Sequence, residues 1–252
     1  KNIIVDNKVP INLNITLKKG QVVEISKEKK ETRIGSIKII YEDNNYLVVY
    51  KPSGMLTIAT NKEKEKTLYH KVREYVNSKQ KKEKIFIVHR LDRETCGLVI
   101  FCKDEKLRDK IQENWDKIAI RREYSCVVSG ILNKKKDKLV NNLKIRKDNT
   151  VYISTDGKQA ITNYEVIKEK DNSLLKILIE TGRKNQIRVQ LANIGYPILG
   201  DKKYGARKEK KLMLCANRLD LKDITTNKVL SFEVNIPSEY FNNLEINKSK
   251  KI

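Results

Sequence analysis

Two apolar runs, residues 85–88 (IFIV) and 98–102 (LVIFC), flank a polar turn that holds His89, Arg90, Asp92, Arg93, Glu94, Thr95 and Gly97. Both runs have the length and the Ile, Val and Phe content of buried strands. Strand alternation puts Phe86, Val88, Arg90 and Asp92 on one side, and Ile85, Ile87, His89 and Leu91 on the other. Arg90 and Asp92 are therefore expected to project together at the end of a buried strand, with His89 facing away in a structural role. A carboxylate placed there is either paired or reactive. Taken locally, capping a turn or pairing with a nearby Arg explains it better than chemistry does.

The pattern continues as short elements separated by turn residues. Residues 37–41 and 46–50 read as strands around Glu42-Asp43-Asn44-Asn45, and Lys51-Pro52-Ser53-Gly54 breaks the second one, as a functional loop or a plain turn. Thr67 caps a helix running to Ser78, with Leu68, Val72, Tyr75 and Val76 on its apolar face. The spacing predicts one helix over 104–117, capped by Asp104 and striped by Leu107, Ile111, Trp115 and Ile118. A strand over 121–130 carries Tyr124, Cys126 and Val128 on one face, and basic loops follow at 133–138 and 144–147. Asp156-Gly157 predicts a hairpin between 151–154 and 160–167. Residues 173–181 form a strand, and 184–194 a helix with Ile187, Leu191 and Ile194 inward. A breaker-rich loop at 196–205 precedes closing strands at 212–221 and 229–236. Nine or ten strands in hairpins with three helices predict an α+β fold: a mixed, mostly antiparallel central sheet with a few flanking helices.

Residues 1–26 show short β-type runs around turns at Asp6-Asn7 and Lys19-Gly20; 27–36 is a charged linker, leaving 37–252 as the main domain. The 54 Lys and Arg against 32 Asp and Glu leave a formal charge of +22, which favours a polyanionic partner, nucleic acid first. A Lys-, Ile- and Asn-rich background contributes part of that excess. The four cysteines form no C-x-x-C pair, and with only two histidines no zinc site is expected. Buried free thiols fit a reducing cytoplasm. No apolar run has transmembrane length, so no membrane association is expected. A first residue of Lys1 in place of Met leads to the expectation of a fragment of a longer polypeptide.

Separated segments occur in an order that resembles one family. They are HRLDRETCG from His89, Arg122-Glu123-Tyr124 leading to Gly130, TGRKNQIRVQ from Thr181, and YPILGDKKYG from Tyr196. Tyr46 to Gly54 (YLVVYKPSG) and Gly157 to Thr162 (GKQAIT) support them. From about residue 37 to 237 the chain resembles the RluA/RluD-type pseudouridine synthases, which isomerise specific uridines in rRNA or tRNA. Residues 1–26 look like part of an S-four-like RNA-binding segment. The resemblance implies a catalytic aspartate at Asp92, an active-site tyrosine that stacks on the base at Tyr124, and an arginine partner of the aspartate at Arg188. It implies base flipping by Arg90 and an apolar contact to the base by Leu214, with Arg93 and Arg183 as further RNA-binding candidates. Asn185 and Gln190 stand where the family usually has His, Cys96 where it has Ser, and Arg122 where Lys is common. These departures bear on positioning, since Asn and Gln hydrogen-bond but carry no proton charge.

The expected activity is isomerisation of a flipped-out uridine, in large-subunit rRNA before tRNA, by a cytoplasmic monomer that uses no cofactor. The alternative from another class is an RNA-binding ribosome-assembly factor with little or no turnover. A DNA-binding regulator is disfavoured, because strands outnumber helices and no helix-turn-helix or zinc pattern is present.

Overall fold

The computed structural model describes residues 2–5, 20, 22–26, 32–61, 63–78, 84–205 and 211–244. In chain order the elements are β1 (Asn2–Val5), β2 (Val23–Ser26), β3 (Arg33–Ile34), β4 (Ile37–Glu42), β5 (Tyr46–Lys51), α1 (Leu68–Ser78), β6 (Phe86–Ile87), β7 (Cys96–Cys102), α2 (Glu105–Glu113), α3 (Trp115–Ile118), β8 (Arg121–Ser129), β9 (Lys136–Ile145), β10 (Val151–Ile153), β11 (Lys158–Glu169), β12 (Asn172–Ile179), α4 (Gln186–Asn193), β13 (Leu214–Lys222), β14 (Val229–Glu233) and α5 (Ser238–Asn242). Two compact units divide the chain, Lys1–Arg33 and Ile34–Ile252. In the first, β1 and β2 pair antiparallel. The turn expected at Asp6-Asn7, most of the S-four-like segment and the charged run 27–31 lie outside the described residues. Within the range read as linker, residues 33–34 form β3.

The second unit is built on one mixed sheet in the order β10-β9-β11-β12-β8-β13-β7-β5-β4, ending on β3, with β14 beside β13 and β6 beside β7. From β10 to β4, and for β14 and β6, the pairings are antiparallel except for β13 with β7, which run parallel through Cys215↔Cys96 and Ala216↔Gly97. This is the mixed, mostly antiparallel α+β fold expected.

The central strands are apolar on both faces because both faces are covered. Every residue of β7 is buried. Leu98, Ile100 and Cys102 pack with Leu107 and Ile111 of α2 and Ile118 of α3. Val99 and Phe101, between them, pack with Leu68, Val72 and Val76 of α1 on the opposite face. Each such fully buried Leu, Val or Phe side chain contributes roughly 1.5–3 kcal/mol. Asp104 caps α2 as predicted, accepting from the Leu107 amide at 2.7 Å.

Four local expectations are corrected. The helix predicted over 104–117 breaks at Asn114 into α2 and α3, and the Asn114 backbone leaves helical geometry there (φ −114°, ψ 24°). Asp156-Gly157 closes no hairpin between its flanking strands, because β9 lies between β10 and β11. Most of what reads as basic loop from 133 to 147 is that strand. Its Lys, Asp and Asn residues mask the inward pair Leu139 and Leu143, four apart on one face. Fourth, the segment after β6 is irregular, so strand alternation is not what orients Arg90 and Asp92.

Gly97, the second residue of β7, has φ +123°, and a methyl group there would lie 2.2 Å from the Ala216 carbonyl oxygen. The parallel β7–β13 contact therefore requires glycine. Gly97→Ala is expected to lower the unfolding free energy by at least ~2 kcal/mol, read from the urea midpoint. A midpoint within error of wild type would refute this account of the contact.

Candidate active site

The turn between β6 and β7 is held from beneath by the segment after β5. Lys51, fully buried, donates through Nζ to the carbonyls of Pro52 (3.1 Å), Met55 (2.7 Å) and Arg93 (2.9 Å). Burial lowers its pKa to about 8, against the opposing pull of Cys96, Glu94 and Asp92. Thr57 Oγ1 donates to the Leu91 carbonyl (2.6 Å) and accepts from the Leu91 amide (3.2 Å). Ser53 Oγ donates to the Glu94 carbonyl at 2.7 Å, and the Gly54 amide to the Arg93 carbonyl at 2.9 Å. The main chain on both sides of Asp92 is thereby fixed, and Asp92 accepts through its carbonyl from the Thr95 amide at 3.2 Å. The Lys51-Pro52-Ser53-Gly54 break is thus a scaffold for the turn. Its sequence signal was a Lys at the end of an apolar strand.

His89 is structural, as expected. Its ring stacks on Trp115 with centroids 5.0 Å apart, and Nε2 accepts from the Ile100 amide at 3.3 Å. Burial, with the nearby Arg122 charge, lowers its pKa to about 4, consistent with a neutral ring whose Nε2 is an acceptor.

Arg188 lies in the first turn of α4. Its main partner is a residue that sequence reasoning passed over. Nε and Nη2 grip the Asp201 carboxylate at 2.8 and 2.7 Å, and Nη1 lies 3.7 Å from Asp92 Oδ2. The fully buried Asp201 side chain also accepts from the amides of Lys203 (2.9 Å) and Tyr204 (3.2 Å). Burial opposes the Arg188 charge, but the Asp201 hydrogen bonds and charge, then Asp92, outweigh it and raise the pKa. Asp201 therefore orients the arginine, leaving Nη1 toward Asp92. The signal for it was in the sequence: a carboxylate in a Gly-Asp step inside a breaker-rich loop.

Of the two departures near Arg188, Gln190 has become a buried hub. It accepts from Thr162 Oγ1 (2.7 Å) and donates to the carbonyls of Leu139 (3.2 Å) and Ala160 (3.1 Å) and to Asn141 Oδ1 (2.9 Å). Asn185 occupies the N-cap position of α4 in left-handed backbone (φ 52°), which Asn tolerates, with no side-chain capping hydrogen bond.

Asp92, Tyr124, Arg188, Arg90, Arg93, Arg183 and Leu214 all line one open cavity of about 440 Å³. Tyr124 comes from β8, between Ile177 of β12 and Ala216 of β13, and burial pushes its phenol up to about 12. Leu214 lies at the start of β13, while Arg90 and Arg93 are exposed at the rim. Arg183 is tied by Nε to the Gln159 carbonyl at 3.0 Å. The arrangement offers a carboxylate, an aromatic ring and five basic side chains, Lys184 among them, around a space of nucleoside size.

Asp201→Asn removes the anion that compensates a buried guanidinium. It is expected to cost about 3–5 kcal/mol in urea unfolding. A loss below ~1 kcal/mol, the range of a surface pair, would show that Asp201 does not hold Arg188.

The profile of the RNA pseudouridylate synthase family matches residues 45–193. The chain is 33% identical over 220 residues to ribosomal large subunit pseudouridine synthase C of Buchnera aphidicola, covering 80% of this chain and 69% of that protein. It is 28% identical over 243 residues to the uncharacterized RNA pseudouridine synthase YhcT of Bacillus subtilis, covering 91% and 80%. Among solved structures, human RNA pseudouridylate synthase domain containing 4 shares the fold at a TM-score of 0.69 and 20% identity, covering 81% of this chain and 90% of that one. With the matched region spanning more than half its length, the chain belongs to the RNA pseudouridylate synthase family.

Proposed function

We propose that the cavity takes a uridine flipped out of large-subunit rRNA and that Asp92 carries the isomerisation. The observation that supports this reading best is the meeting of Asp92 and Arg188, 3.7 Å apart, in a cavity that Tyr124 also lines. Pseudouridine formation breaks the bond from the sugar carbon to the base nitrogen, turns the base and joins the same sugar carbon to a ring carbon. The ring carbon gives up its proton and the nitrogen ends with one, so atoms balance within the nucleotide. The chemistry asks for a carboxylate beside the sugar as nucleophile or base, which Asp92 supplies. Arg188, fixed by Asp201, positions it. A uridine inside folded RNA must leave its stack, at a cost of a few kcal/mol. Stacking on Tyr124 returns roughly 1–3 kcal/mol, and Arg90 at the rim fills the vacated place. The basic surface contributes the rest through phosphates, which makes binding strongly salt-dependent. The large-subunit assignment follows the charge and the relatives named as large-subunit enzymes.

Pseudouridine is mapped on transcribed large-subunit rRNA by carbodiimide-dependent primer-extension stops. Wild type is expected to give a stop at a defined uridine, and Asp92→Asn to slow its appearance by at least ~100-fold with RNA binding retained. Equal rates would sink the assignment of Asp92. Tight binding with no stop on any rRNA would favour an assembly factor.

A further inference from the structure

All three lysines of β9 are neutralised: Lys136, Lys138 and Lys144 pair with Glu165, Glu180 and Asp156. Lys184 and Lys203 are not. Lys184 lines the uridine cavity, and its Nζ donates to Asn149 Oδ1 at 3.2 Å. Lys203 Nζ donates to the main-chain carbonyl of the same Asn149 at 2.9 Å. Two ammonium groups from separate parts of the chain thus converge on one neutral residue, and among the described residues neither forms an ion pair with a carboxylate. Asp148, beside Asn149, is taken up by the Thr150 amide (2.9 Å) and hydroxyl (2.6 Å). Like charges held together without an anion repel, and an anion between them relieves that repulsion. Each ammonium has two further N–H donors to offer it. Burial, and then the charges of Lys184 and Arg188, lower the pKa of Lys203, so the two lysines and the active-site arginine share one positive field. The convergence is built into the fold. Asn149 sits in the turn joining β9 to β10, in left-handed backbone (φ 65°), and its amide donates to the Arg146 carbonyl at 2.9 Å. Lys203 stands in the turn where Asp201 grips Arg188, and its own amide donates to Asp201 at 2.9 Å. Lys184 stands two residues before α4, the helix that carries Arg188.

We propose that Lys184 and Lys203 form a phosphate subsite at the mouth of the uridine cavity, which grips the backbone phosphate adjoining the target uridine. A phosphodiester presents two free oxygens, one to each ammonium, and lysine binds phosphate as a point charge. The inference rests on the reading of the cavity as the uridine site. Its consequence is register: one phosphate held on the Arg188 side decides which nucleotide reaches Asp92.

The probes are large-subunit rRNA hairpins with a loop uridine, made with single neutral methylphosphonates at each linkage around it. Wild type is expected to lose about tenfold in affinity at one linkage beside the uridine. The double variant Lys184→Gln/Lys203→Gln should lose about the same amount on unmodified RNA and show no further penalty at that linkage, while other linkages keep theirs. Its salt slope should fall by about one. Lys202→Gln removes an exposed charge from the same turn. It should weaken every RNA by less than about threefold and leave the linkage penalty whole. Equal linkage penalties in wild type and the double variant would overturn the proposal. So would a Lys202→Gln protein that loses the linkage penalty as fully as the double variant, the mark of a diffuse field in place of a subsite. Product formation by wild type on the unmodified hairpin scores the uridine-site reading separately: product without linkage coupling sinks only the phosphate subsite, and coupling without product sinks only the uridine site.

Discussion

A buried ammonium holds the functional end of this fold together. Lys51 ends a central strand with no exposed surface and distributes its three protons to three main-chain carbonyls, one of which belongs to Arg93. An ammonium placed there must satisfy every donor or lose several kcal/mol. The three acceptors exist only when the 52–55 segment and the 88–95 turn adopt these conformations together. Ser53, Gly54 and Thr57 then add their own bonds to the same turn. Asp92 thus stands on an irregular segment that is as constrained as a strand, between helices that cover both faces of β5 and β7.

Across the cavity, Asp201 does for Arg188 what Lys51 does for Asp92. Its carboxylate takes two guanidinium and two amide donors, and it joins α4 to the 196–205 loop. Both groups that meet in the cavity are therefore positioned by buried, fully satisfied polar partners from elsewhere in the chain. Arg122 differs from both: its buried guanidinium donates from Nη2 to the Glu180 carbonyl, and its Nη1 lies 3.0 Å from the exposed Asp116 carboxylate.

Much of this was legible in the sequence, and the exceptions share a cause. Leu68, Val72 and Val76, or Leu107 and Ile111, read as helix faces because burial and periodicity coincide there. Strand β9 was hidden because only two of its ten residues, Leu139 and Leu143, are buried beneath a Lys-, Asp- and Asn-rich surface. The seven candidate site residues came from motif order and resemblance, and all line one cavity. Strand alternation, the local argument for bringing Arg90 and Asp92 together, does not hold, because the segment after β6 is irregular. Lys51, Asp201 and Arg122 escaped because their roles depend on partners far along the chain, which spacing cannot express.

The account holds that Lys51 acts on the reaction by fixing the turn under Asp92, without touching RNA. The direct test is single-turnover pseudouridine formation by Lys51→Met, measured beside RNA affinity in protein shown to be folded by circular dichroism. The account predicts a rate at least ~100-fold below wild type with Kd changed by less than about threefold, the signature of a displaced carboxylate in an intact binding surface. A folded Lys51→Met protein that turns over at the wild-type rate would contradict it.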